Sequence, residues 1–220
     1  MTAYTFWLFL HVLLLVFWLG TDLGVFLAAK FSERAELSVE TRATVLKLGM
    51  ILDRLPRSAL VLILPSGMML LNSLGLIALP TAAIAAVWAV AGVWLVILWT
   101  GFLNPETPLE AKSMLFNFAM NAILAIGVTA LGIYAFVSTA LPSWVALKIL
   151  VVGLVFVAGV ALDVLFKPAV GHFVAIVTEG PTEARNRDYS TALAPVYWAV
   201  IAIYVLVLIA TFAGLSKLSF

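Results

Sequence analysis

Seven side chains of this sequence carry a polar or ligating group in or beside a long apolar run: His11, Trp18, Asp22, Arg54, Arg57, Met68 and Lys148. An imidazole facing the interior of a helix bundle serves as a ligand to haem iron or another metal, or as a hydrogen-bonding link between helices. The thioether of Met68, the ammonium of Lys148 and an open sixth position are the candidates opposite it. Lys148 has a plainer reading too, its ammonium reaching back along its own stem to nearby headgroups. Asp22 is too short for that and needs a cation, Arg57 or Arg54. Such a pair either clamps the structure or belongs to a substrate or proton path. Spacing groups these residues further. His11, Trp18 and Asp22 fall at i, i+7 and i+11, one stripe of a helix, while Arg57 and Met68, eleven apart, share a face of another. Trp18 on that stripe is placed to pack a cofactor or substrate ring. Gly20 and Gly24 point away from it and form a small-xxx-small patch for close helix packing.

The elements that must hold these groups are membrane helices. The chain has 220 residues, 65% hydrophobic and 10% charged, with a mean hydropathy of +1.18. Soluble chains run at about 45–50% and about 25%, so too little polar sequence is left to cover a soluble core. A net charge of +1 gives no electrostatic footing for nucleic acid. A membrane-spanning helix needs about 20 mostly apolar residues. Six stretches qualify, at 4–29, 55–76, 81–103, 115–139, 142–166 and 193–215. The expected fold is all-α, a polytopic membrane helix bundle forming one integral membrane domain over 1–220. The first run carries His11 and Asp22 behind no basic leader, so it is expected to stay as a span and not to be cleaved.

Charge sets the expected orientation. Lys30, Arg34, Arg42, Lys47, Arg54, Arg57, Lys112, Lys167, Arg185 and Arg187 all fall on one side of the spans. The positive-inside rule makes that side cytoplasmic and puts both termini outside, in the periplasm of a bacterial inner membrane. Residues 30–54 and 167–192 are then long cytoplasmic loops. The first should contain an interfacial helix, with Ser38 as N-cap, Glu40 in the first turn and Val45, Leu48, Leu52 and Leu55 on one face. Helix rise places His11 about 10 Å and Lys148 about 9 Å below the outer surface. Met68 and Tyr134 reach a similar level. A second layer towards the cytoplasm holds Asp22, Asp53, Arg54, Arg57, Asn117, Asn121 and Asp163. Trp7, Trp99 and Trp144 read as interfacial belt residues. Leu15-Val16-Phe17 with Gly20 is echoed by Leu154-Val155-Phe156 with Gly159, which suggests a parallel repeat.

The sequence has no cysteine, so thiolate metal sites and iron–sulfur clusters are excluded. Redox chemistry would need a bound cofactor. His172 lies beyond Pro168 on the opposite side from His11, which disfavours bis-histidine haem within one chain. Met68, Met69, Met114 and Met120 raise copper, but the adjacent pair diverges on a helix and the other two lie far from His11.

The segment Phe9-Leu10-His11-Val12 in a first span resembles the opening of HemJ-type protoporphyrinogen oxidases and of related CopD-like bacterial membrane proteins. Ser143-Trp144-Val145-Ala146-Leu147-Lys148 and the apolar run behind it resemble a later helix of the same proteins. The resemblance covers about two helices, and the HemJ-type proteins are shorter with fewer spans. It implies a functional His–Lys pair, the histidine associated with haem b; those roles fall on His11 and Lys148. The expected function is a haem-b-binding membrane oxidoreductase or electron-transfer protein, acting on a tetrapyrrole or quinone. His11 would be the axial ligand, with Met68 and Trp18 beside the cofactor. Lys148, Arg54 and Arg57 would hold carboxylates, and Asp22 would relay protons. Expected partners are the lipid bilayer, a quinone or redox protein, and a second copy through Gly20 and Gly24. Two alternatives stay open. One is a transporter of copper or a small molecule built on the Asp/Arg pair, for which Pro65-Ser66-Gly67 is the one helix interruption. The other is a non-catalytic assembly subunit.

Overall fold

The computed structural model describes residues 2–217. Seven helices follow one another in it: α1 (Ala3–Ser32), α2 (Val39–Leu52), α3 (Arg54–Ser73), α4 (Thr81–Leu103), α5 (Pro108–Ser138), α6 (Ser143–Glu179) and α7 (Glu183–Ser216). Six segments are long and apolar enough to cross a membrane, α2 and α3 together forming one of them. The protein is an all-α integral membrane protein, and every expected span falls on one of these helices.

The short helix α2 starts where its cap predicts. Ser38 Oγ accepts from the Thr41 amide at 3.2 Å, satisfying one of the donors that a helix start leaves open. Glu40 lies in the first turn. Leu48 and Leu55 are exposed, whereas Leu52 turns to α1. A Cβ on Gly24 would stand 3.0 Å from Leu52 Cδ1, and one on Gly49 would stand 2.7 Å from the Ala28 Cβ. The row Gly24–Ala28 of α1 therefore receives α2 within the chain. Gly20, its partner in the expected patch, has nothing within 4 Å.

One expected connection is corrected. Residues 167–192 are helical except for 180–182, so no long loop exists there. Pro168 deprives α6 of one backbone hydrogen bond, but the apolar rhythm continues past it. Ala169, Phe173 and Ile176 are buried at i, i+4 and i+7, and α6 packs along α7. Burial of that stripe outweighs the lost bond. The turn comes at Gly180, whose φ of +86° suits only glycine without strain. Thr182 then caps α7, its Oγ1 accepting from the Arg185 amide at 3.2 Å.

The described chain falls into two compact units, residues 2–32 with 44–117, and 33–43 with 118–217. In the first, α3 packs on α1 and on α4. Trp94 Nε1 donates to Asn117 Oδ1 at 3.1 Å, joining α4 to the start of α5. Trp99, read from sequence as a belt residue, also donates to Ser58 Oγ at 3.0 Å.

In the second unit α5 lies directly on α6. A Cβ on Gly153 would stand 2.5 Å from both the amide nitrogen and Oγ1 of Thr129, and one on Gly132 would run into the Leu150 backbone. Small residues are what allow two membrane helices to approach this closely.

Candidate functional site

Helix α3 presents Ile63, Pro65 and Ser66 as buried residues of the first unit, and His11 of α1 meets α3 there. The imidazole Nδ1 lies 2.8 Å from Ser66 Oγ. Ser66 is fully buried, and its hydroxyl donates to the Ile63 carbonyl at 2.9 Å. The next residue is Gly67, where a Cβ would stand 3.3 Å from His11 Cε1 and 3.9 Å from Nδ1. The ring edge thus rests on the backbone of α3, at a position where a side chain would press on it. His11 lies eight residues into α1 and Ser66 seven residues before the end of α3. The two helices run antiparallel, and the imidazole sits about 12 Å in from that end.

The other predicted groups distribute as follows. Trp18, on the His11 stripe, is buried, at 8% exposure. Asp22, a turn beyond it, is half-buried. Arg57 Nε donates to Asp53 Oδ2 at 2.6 Å, an i,i+4 pair, and the Arg54 guanidinium stands 5.6 Å over the Phe102 ring. Both arginines are therefore held in place on α3, two to three turns from Ser66. Met68 is half-buried and projects about 200° round α3 from Ser66 at 100° per residue. The structure brings His11 to Ser66 and Gly67, residues that composition and spacing had marked only as a kink.

Lys148 belongs to the second unit. Its stem runs over Gly214 of α7, where a Cβ would stand 2.8 Å from Nζ and 3.7 Å from Cε. Also in this unit, Asn121 Oδ1 and Thr129 Oγ1 are buried with no hydrogen-bond partner among the described residues. Lys167 Nζ lies 5.8 Å over the Phe118 ring. His172 is half-buried on α6, beside Phe173.

A polar cluster that the sequence reading missed also lies in the second unit. The segment 33–43 enters it through Glu33 and Arg42. Tyr197 and Ser190 both donate to the Glu33 carboxylate, the serine at 2.6 Å. Arg42 is fully buried, donates from Nη1 to Asn186 Oδ1 at 2.9 Å and stacks 5.9 Å over the Phe173 ring. The one available signal was the α7 face Asn186, Ser190, Leu193, Tyr197 at i, i+4, i+7, i+11. Nothing local in the sequence ties it to Glu33 or Arg42.

Among the described residues no group of three or more His, Cys, Asp or Glu is gathered as a metal site. A copper or zinc ion needs several protein ligands. Haem brings four of its own nitrogens and asks the protein for one or two axial groups. A lone, well-held imidazole inside a membrane unit suits the second case. No family model matches the chain, and no curated protein or solved structure matches it.

Proposed function

We propose that this membrane protein holds haem b on His11 and carries electrons between an apolar donor of the tetrapyrrole or quinol class and a membrane acceptor. One observation supports the reading above the rest: an intramembrane imidazole fixed through Nδ1 to a buried serine and laid on a glycine of the neighbouring helix. Ionisable groups at such depth are costly and are retained for function. When bound, haem supplies the one-electron centre. The chain's own part is to hold and surround it. His11 would hold the haem iron through its imidazole, and Trp18 on the same stripe would pack against the group. Arg57 and Arg54, about 13 Å and about 18 Å along α3 from Ser66, hold carboxylates. Their planar guanidinia suit that task, and Asp53 and Phe102 already fix their directions. Asp22 relays protons from the basic end of the unit. In this reading the protein lies in a bacterial inner membrane with its basic ends in the cytoplasm. A second copy would approach α1 at Gly20, because Leu52 occupies the Gly24 position.

Titrating the purified full-length protein in detergent with hemin should give saturable binding at equimolar haem, with a shifted Soret band. Binding that never saturates, as in empty detergent micelles, would remove the reading.

A second reading, a carrier of a metal ion or small anion, draws on Asn121 Oδ1 and Thr129 Oγ1. Buried polar atoms without partners are what a wetted path would satisfy. Against it, α3 continues unbroken through Pro65-Ser66-Gly67, so that segment supplies no discontinuous helix of the kind many transporters use. Uptake into proteoliposomes by a protein that binds no haem would favour it.

A further inference from the structure

We propose that Ser66 is a positioning residue that selects the tautomer of His11, holding the imidazole proton on Nδ1 and leaving Nε2 as the basic, ligating nitrogen. This deepens the haem reading, and it is argued from three groups: the Ile63 carbonyl, the Ser66 hydroxyl and the His11 ring. A carbonyl oxygen only accepts, and a serine hydroxyl has one proton to give. Ser66 Oγ stands 2.9 Å from the Ile63 oxygen and 2.8 Å from His11 Nδ1. Two arrangements of protons are conceivable. In one, the hydroxyl donates to Ile63 and accepts from Nδ1–H, so both short contacts are hydrogen bonds. In the other, the hydroxyl donates to a bare Nδ1, and its lone pairs then face the carbonyl lone pairs at 2.9 Å. Ser66 is fully buried, so water is not there to relieve that opposition, and an unmade buried hydrogen bond is costly. The first arrangement wins. Turning the ring over about its Cβ–Cγ bond would set Cδ2 against Ser66 Oγ, losing the imidazole's hydrogen bond to the serine.

The consequence is chemical. A histidine in water divides its proton between the two nitrogens, favouring Nε2–H. Here the hydrogen bond at Nδ1 reverses that preference, and the lone pair is carried by Nε2. This is the arrangement by which outer-shell partners orient ligating histidines and raise their basicity. Gly67 completes it, since a Cβ there would press on Cε1 at 3.3 Å and tilt the ring away from Ser66.

The test reads the proton directly and needs no cofactor. The chain has two histidines, so full-length protein labelled with ¹⁵N-histidine, purified free of haem and metal in detergent, gives two imidazole spectra. A His172→Gln variant assigns them. At a pH where both rings are neutral, His11 should appear as the Nδ1–H form. Ser66→Ala should move its tautomer ratio about tenfold towards Nε2–H, the size expected from an ordinary buried hydrogen bond. Ser66→Thr, which keeps the hydroxyl, should restore the wild-type ratio, and His172 should stay unchanged throughout. A wild-type His11 found as Nε2–H overturns the proposal, as does a ratio unmoved by Ser66→Ala. Should that variant fail to accumulate, the wild-type tautomer decides alone. The failure of the haem reading is separable: a protein that binds no hemin but shows Nδ1–H supports the role of Ser66, and one that binds hemin yet shows Nε2–H when haem-free overturns it.

Discussion

Replacing His11 with alanine should abolish haem binding while leaving the protein folded in the membrane. The loss should exceed about 100-fold in affinity, the upper range seen when a residue behind a ligand is changed, because here the ligand itself goes. The fold should tolerate it. His11 is only half-buried, and Ser66 keeps its bond to the Ile63 carbonyl after the imidazole has gone. The Ser66 hydroxyl is therefore not orphaned, and losing the imidazole's bond to it costs about 1 kcal/mol, plus a modest cavity. Equal extraction of wild-type and variant protein in detergent, with the Soret band lost only from the variant, is the expected result. His172→Ala should keep the band.

The largest structural effect should come from Gly153→Val in α6. Its Cβ would stand 2.5 Å from the backbone nitrogen of Thr129, and backbone cannot swing aside as a flexible side chain can. Two helices would have to separate along their contact. Overpacking of this kind costs about 3 kcal/mol, which for a chain of this size lowers Tm by about 10 °C. Gly159, six residues on in the same helix, has nothing within 4 Å of its Cβ position. Gly159→Val should leave Tm within a degree or two of wild type by the same scale. Thermal unfolding of the two variants in one detergent separates the contact from the general effect of removing a helix glycine. Equal behaviour would show that α5 and α6 do not meet at Gly153.

The spans were legible because their signal is thermodynamic and local: about 20 apolar residues in a row have one stable destination. The Ser38 cap was legible for the same reason, since its partner is three residues away. The helix through 167–179 was not legible because the apolar run ends at Phe166 and a proline follows; what extends it is the stripe Ala169, Phe173 and Ile176, whose burial depends on α7. The glycines show the limit most clearly. Gly20 and Gly24 are alike in sequence, yet one faces Leu52 and the other open space. At the candidate site the stripe of His11 with Trp18 and Asp22 was legible, and so was an imidazole bonded to a neighbouring helix; that Ser66 carries the bond was not, because nothing local marks that serine. Glu33 with Tyr197 lay beyond any sequence argument, being 164 residues apart with no shared pattern.

One spectrum tests the proposed role of His11 as a haem ligand most directly. The full-length protein, produced in haem-replete cells and purified in mild detergent, should show the reduced-minus-oxidised difference spectrum of a b-type haem. A colourless protein, with no difference spectrum and no Soret band, would contradict it.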